Sequence, residues 1–213
     1  MKYEGIIFDL DGVICNTDKY HYEAWKAVAD KLNIYFDESI NNRLRGVSRI
    51  ESFNIILERY YSVMSEEEKI KYCEEKNDIY KRLLNSMSPK DLSEDVKNTL
   101  NELRNRGVKL AIGSSSKNAK FILNQLGLGD FFNAISDGNN ILKSKPDPEV
   151  FIKAANYLSL PAKKCIVVED AVAGLDAAIA GNMDCCAIGD AVSSLKATYN
   201  LSSFKDLLMV IKY

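Results

Sequence analysis

The sequence predicts an α/β protein: a doubly wound parallel sheet interrupted, just after its first strand, by an inserted α-helical cap. Three observations predict it. GIIF, VKLAIG, KCIVV and DCCAIG are short, continuous apolar runs, the pattern of strands buried on both faces. From residue 88 onward these runs alternate with helical segments, the order that builds a parallel sheet. Between residues 17 and 87 every periodic segment is helical and no strand signal occurs.

The elements follow in order. GIIF is the first strand. TDKYHYEAWKAVADKLN reads as a helix with Ala24, Val28 and Leu32 on its apolar face, and IESFNIILERYY as a second. Ser65 and Glu68 form a capping box that opens a long helix through KIKYCEEKNDIYKRLLNSM. After Pro89, SEDVKNTLNELRNRG is a helix capped by Ser93 and stopped by Gly107. VKLAIGS is the next strand, AKFILNQLG a helix, KCIVV a strand, VAGLDAAIAG a helix and DCCAIG a strand. The organisation is therefore a Rossmann-like core over 1–16 and 88–213 with a helical cap over 17–87. The cap is expected to move as a hinged lid.

Composition narrows the function. The 213 residues are 46% hydrophobic and 27% charged, as in ordinary globular proteins. A net charge of −2 offers no basic footprint for nucleic acid or an anionic membrane. The five cysteines form no C-x-x-C pair and are odd in number, so they read as buried or reduced thiols in a cytoplasmic protein, not as a disulfide framework. Asp9 ends the first apolar run well short of a signal peptide, and no run is long enough to span a membrane.

In open parallel sheets, ligands bind beyond the carboxyl ends of the strands. The first strand runs into Asp9-Leu10-Asp11-Gly12, the second into Ser114-Ser115-Ser116-Lys117-Asn118, and KCIVV into Glu169-Asp170. Lys145 stands in a loop stiffened by Pro146 and Pro148. On an extended strand Asp9 and Asp11 would share a face, and at ~4 Å two like charges repel by roughly 4 kcal/mol. That repulsion calls for a cation. A calcium loop is excluded, because Val13 occupies the third ligand position. Taken singly, the serines could be a helix cap, Lys145 a surface lysine and Glu169-Asp170 a helix start. Together they describe phosphoryl transfer: carboxylates for a hard divalent cation, one carboxylate to attack phosphorus, and hydroxyls, amides and a lysine for phosphate.

FDLDGV, the serine after the second strand, Lys145 before Pro146 and the Glu169-Asp170 pair resemble the four motifs of the haloacid dehalogenase superfamily. The insert looks like its small helical cap, and the likeness covers nearly the whole chain. Within the superfamily, NTDKYHYEAW, RGVSRIES, Lys76-Asn77-Asp78, SSSKN and SKPDP resemble the mutases that interconvert β-glucose 1-phosphate and glucose 6-phosphate through a 1,6-bisphosphate. That resemblance implies Asp9 as nucleophile, Asp11 as general acid and base, and magnesium held by Asp9, the Asp11 carbonyl, Glu169 and Asp170. Ser114 and Lys145 would bind the transferring phosphate. Gly46, Val47, Arg49 and Ser52, with Ser116, Lys117 and Asn118, would bind the sugar and its distal phosphate. Thr17, His21 and Lys76 would also belong to the substrate-binding set, with His21 and Lys76 coupling cap closure to the placement of Asp11. Two positions depart from the pattern: Arg45 stands where a lysine is expected, and Ser115 where alanine is.

A sugar-phosphate or phosphoglycolate phosphatase on the same scaffold is the alternative. A phospho-accepting signalling module also pairs carboxylates with a lysine, but it needs neither a cap of some 70 residues nor Asp11. The expected partner is a small sugar phosphate, with no nucleic acid and no membrane, acting on a monomer.

Overall fold

The protein is described by a computed structural model covering residues 2–45 and 47–211. By its internal contacts the chain divides into two compact units, Met1–Asn16 with Met87–Tyr213, and Thr17–Ser86.

The first unit is built on strands β1 (Gly5–Phe8), β2 (Lys109–Gly113), β3 (Ala134–Ser136), β4 (Cys165–Glu169), β5 (Asp184–Ala187) and β6 (Tyr199–Asn200). They form one parallel sheet in the order β3-β2-β1-β4-β5-β6. The order reverses between β1 and β4, the switch point at which such sheets open a crevice beyond their carboxyl ends. Register decides what stands there. Phe8 pairs with Ile112 on one side and with Val168 on the other, so Asp9, Gly113 and Glu169 leave the sheet in one row.

The core beneath that row is apolar. Ile7, Ala111, Val150, Phe151, Cys165, Val167, Leu175 and Ala178 are buried in one cluster. It packs β1, β2 and β4 against α7 (Glu149–Tyr157) and α8 (Val172–Ala180). The unit also contains α5 (Glu94–Asn105) and α6 (Ala119–Gln125), and it ends in α9 (Leu207–Val210). Ser93 caps α5 by accepting from Val96 N at 3.2 Å, and Gly107 ends that helical segment at φ +76°.

In this unit β3, β6, α7 and α9 have no counterpart in the sequence reading. Strands β3 and β6 are three and two residues long, too short for periodicity to register. Helix α7 follows Pro146 and Pro148, whose turn character masked its start.

Among its described residues the second unit's regular elements are α1 (Asp18–Lys31), α2 (Glu38–Asn42), α3 (Arg49–Leu57) and α4 (Glu66–Leu84), joined by turns and loops. It has its own core of Trp25, Val28, Phe36, Ile40, Phe53, Ile56 and Cys73. The Trp25 and Phe53 rings stack at 5.7 Å and 8°, so Trp25 is a packing residue. Capping boxes start both α3 (Ser48, Glu51) and α4 (Ser65, Glu68). All five cysteines are free and buried. Among the described residues no helix is long and apolar enough to cross a membrane.

Candidate active site

Strand β1 stops at Phe8, so Asp9 and Asp11 stand in a turn rather than on one face of a pleated strand. Asp9 N still donates to Val168 O at 2.9 Å, which keeps its backbone in line with the sheet. The chain then folds back, with Ile14 N and Cys15 N both reaching Leu10 O and Gly12 N reaching Cys15 O. Gly12 sits at φ +81°, where L-residues are strained. Space demands glycine as well: a Cβ there would lie 1.9 Å from Asp170 Oδ2. Gly174, in the first turn of α8, has the same relation to Glu169, with a Cβ 1.9 Å from Oε1.

Lys145 closes the cluster. Its ammonium is buried, donating to Asp9 Oδ1 and, at 2.5 Å, to Glu169 Oε1. The Phe151 ring lies 4.8 Å from the same nitrogen. Ala171 N takes the other Glu169 oxygen at 2.9 Å. The peptide between Lys145 and Pro146 is cis.

The charges are unequal to one another. Burial pushes the Asp9 carboxyl well above the usual range; Lys145 opposes the shift, while Glu169 and Asp170 add to it. Burial, and then the Glu169 charge, raises Asp170 to about 7. The Asp11 charge adds to the repulsion at Asp170. Burial works against the Lys145 charge, yet Asp9 and Glu169 more than offset it and hold its pKa above the ordinary value. One ammonium thus faces three carboxylates in a desolvated cleft. Such a site lacks positive charge.

Beyond β2, Ser114 is buried and its Oγ accepts from Ser116 N at 3.1 Å; Ser116 Oγ accepts in turn from Asn118 N at 3.2 Å. Asn118 is buried at the start of α6, and Lys117 is exposed. This loop is held from the β3 side. Gly138 N donates to Ser116 O at 3.2 Å, and Asn139 Nδ2 to Lys117 O at 2.9 Å. A Cβ at Gly138 would fall 2.4 Å from Ser115 O. Ser115 Oγ and Asp137 Oδ2 are buried without a hydrogen-bond partner among the described residues.

Within the helical unit, Thr17, His21 and Lys76 come together around Tyr80. The Tyr80 hydroxyl donates to Thr17 Oγ1 at 3.0 Å, and the His21 ring lies 4.2 Å from the Tyr80 ring. Lys76 is buried, with Nζ 2.8 Å from His21 Nδ1 and 4.3 Å from the Tyr80 ring centre. Arg49 opens α3 and donates through Nη2 to Asn77 Oδ1 at 2.8 Å, and Ser52 lies buried on the same helix. Val47 is half-buried in the bend before α3, and Gly46 lies outside the described residues. Arg45 pairs with Asp18 at 2.7 Å.

Comparison with known proteins now bears on this geometry. The pattern described as haloacid dehalogenase-like hydrolase matches residues 6–188. The chain belongs to the haloacid dehalogenase-like hydrolase family. A β-phosphoglucomutase of Bacillus subtilis is 37% identical over 97% of this chain and 92% of its own length. A fructose-1-phosphate phosphatase of Escherichia coli is 29% identical over 86% of this chain and 95% of its own. The crystal structure of a β-phosphoglucomutase from Clostridium difficile matches at 39% identity with a TM-score of 0.89, covering 96% of this chain and 93% of that one. The six-stranded parallel sheet is the fold of the haloacid dehalogenase-like family, and the protein is a phosphoryl-transfer enzyme.

The haloacid dehalogenase-like site also fits a metal. Asp9, Glu169 and Asp170 each offer an oxygen, all within 4.8 Å of one another, and hard oxygen donors suit a hard divalent cation. A divalent cation there would offset the burial and like-charge repulsion that raise the Asp9 and Asp170 pKa values. Motif reading quoted Asn77 beside Lys76 without giving it a role, and it missed Tyr80 and the Asp137–Asn139 loop. Tyr80 carried a signal, since it lies four residues beyond Lys76 and so on the same helix face; the loop carried none.

Proposed function

We propose that the enzyme interconverts β-glucose 1-phosphate and glucose 6-phosphate by way of β-glucose 1,6-bisphosphate and a phosphorylated Asp9. A carboxylate oxygen of Asp9 attacks the phosphorus, forming the Asp9 O–P bond as the P–O bond to the sugar breaks. Asp11 gives its proton to the departing sugar oxygen and takes one back when the other sugar hydroxyl attacks the aspartyl phosphate. Lys145 holds Asp9 in place and offsets charge on the phosphate, and Ser114 binds phosphate oxygens. Magnesium, held by Asp9, Glu169, Asp170 and the Asp11 carbonyl, would supply the positive charge this carboxylate cluster lacks.

The observation that carries the mutase reading over a phosphatase is Arg49. A bisphosphate keeps one phosphate away from Asp9 whichever way it binds, and that group needs its own cation. Arg49, with Ser52, Val47 and Gly46 of the helical unit and Ser116, Lys117 and Asn118 of the sheet unit, is assigned to the sugar and this distal phosphate. Thr17, His21 and Lys76 are assigned to substrate binding, and His21 and Lys76 also to coupling the helical unit's movement to the placement of Asp11. The protein is read as a cytoplasmic monomer serving a small sugar phosphate, and its net charge of −2 offers no basic footprint for nucleic-acid or anionic-membrane partners.

The test supplies β-glucose 1-phosphate, a trace of glucose 1,6-bisphosphate and magnesium, and scores glucose 6-phosphate against free phosphate. Glucose 6-phosphate far in excess of phosphate is expected. Release of one phosphate per sugar consumed would establish the phosphatase instead.

A further inference from the structure

Arg49 is held at two points by one face of α4. Cys73 Sγ donates to its carbonyl oxygen at 3.7 Å, and Asn77 Oδ1, one helical turn on, accepts from Nη2 at 2.8 Å. The guanidinium is half-buried, and that burial lowers its pKa from the usual arginine value. A cation withdrawn from water is ordinarily paired with a carboxylate. No described carboxylate forms an ion pair with Arg49; its one side-chain partner is the neutral amide of Asn77. One N–H is thereby committed, and a guanidinium carries five.

We propose that Asn77 is a positioning residue that aims Arg49 without neutralising it, reserving the full positive charge for the distal phosphate of a bisphosphorylated sugar. A carboxylate in its place would orient the guanidinium equally well, since the fork geometry matches both oxygens. It would also form an ion pair that an incoming phosphate must break, and it would repel that phosphate. A neutral acceptor does neither. Asn77 therefore bears on the choice between mutase and phosphatase, although no atom of it need touch substrate. The proposal rests on the distal-phosphate reading of Arg49.

The experiment compares Asn77→Asp, Asn77→Ala and Arg49→Ala, and combines Asn77→Asp with Arg49→Ala. Two rates are measured for each: turnover with glucose 1,6-bisphosphate, and phosphorylation of Asp9 by acetyl phosphate, which has no second phosphate. Thermal unfolding checks each fold. Asn77→Asp, nearly the same shape as the native side chain, is expected to raise KM for the bisphosphate by about 10- to 150-fold, the loss of one charge-assisted contact. Asn77→Ala should cost less, because Arg49 keeps its charge and loses only its aim. Acetyl phosphate should change by less than about 2-fold in either variant, and adding Asn77→Asp to Arg49→Ala should cost no more than that, as expected for two groups acting through one contact. An alanine variant as impaired as the aspartate variant would make Asn77 merely structural and overturn the proposal, as would parallel losses with acetyl phosphate. Arg49→Ala crippled beside a silent Asn77→Asp overturns the role of Asn77 alone. Unchanged bisphosphate turnover in Arg49→Ala overturns the reading of Arg49, and the proposal with it.

Discussion

Gly12 and Asp170 approach so closely that a methyl group on the first would lie 1.9 Å from a carboxylate oxygen of the second. The glycine also holds φ at +81°. Gly12→Ala therefore meets two costs at once. The backbone term is roughly 1–2 kcal/mol, and Asp170 must swing away from Asp9 and Glu169. Expected outcomes are a melting temperature lower by roughly 2–8 °C and a higher magnesium requirement in phosphoryl transfer. A variant with unchanged magnesium dependence would mean that Asp170 does not need this approach to serve the metal.

Asp170 links metal and pH. Its folded pKa is about 7, whereas an unfolded aspartate titrates near 3.9. Between those values the folded, metal-free protein holds a proton that the unfolded chain has released, so this group's contribution to stability falls as pH rises through the window. Asp9 is shifted in the same direction. A divalent cation binds the ionised form, so its stabilisation should grow over the same range. Melting curves with and without millimolar magnesium should show a larger increment at pH 8 than at pH 5, and Asp170→Ala should reduce the difference. An increment independent of pH would place the cation away from these carboxylates.

Much of this site was legible because parallel sheets deliver their functional residues at strand ends. Asp9, Ser114 and Glu169 each follow an apolar run directly, with Asp170 next to Glu169, so finding the strand found the residue. Lys145 lies on a loop, and only the neighbouring prolines marked it. The helical unit was legible as helices, down to the Ser65–Glu68 box, because amphipathic period and caps are local signals. Tertiary partners were not. Nothing in NDIY says that Asn77 meets Arg49, 28 positions earlier, or that the Tyr80 hydroxyl meets Thr17, 63 earlier. Strand β3 is three residues long and went unread, and with it the Asp137–Asn139 loop that braces the serines.

Asp11 follows Asp9 by two residues across a turn, and the roles assigned to them separate by leaving group. Asp11→Asn keeps a backbone carbonyl for metal and loses the transferable proton. Turnover of sugar phosphates should fall by about 10²–10⁴-fold. Phosphorylation by acetyl phosphate, whose leaving group needs no proton, should fall far less. Equal losses with both donors would remove Asp11 from acid–base work. Asp9→Asn should abolish both reactions.

Tyr80 joins Thr17 by a hydrogen bond and His21 and Lys76 by its ring. Tyr80→Phe removes the hydroxyl alone, at about 0.5–1.5 kcal/mol. Tyr80→Leu removes the ring as well, and a desolvated cation over an aromatic face contributes about 2 kcal/mol more. Denaturant titration of both variants should therefore rank Leu clearly below Phe. If the two are equal, the Lys76–ring contact adds nothing to stability.

Gly138 offers the complementary test to Arg49, on the phosphate that Asp9 attacks. A Cβ at 138 would lie 2.4 Å from Ser115 O and 3.0 Å from Lys117 N, both backbone atoms that cannot turn aside as a side chain can. Gly138→Ala must push the Ser114–Asn118 loop as a body, at about 1–3 kcal/mol for overpacking. Ser114 is assigned to the transferring phosphate, which is present in every donor. Loss should therefore appear with acetyl phosphate and with glucose 1,6-bisphosphate alike, whereas Arg49→Ala should spare the former. Asn139→Ala removes one bond to the same loop, from Asn139 Nδ2 to Lys117 O, and should give a weaker version of the same pattern. Should Gly138→Ala impair the bisphosphate and leave acetyl phosphate untouched, the serine loop would serve the distal phosphate only, and Ser114 would lose its assigned role.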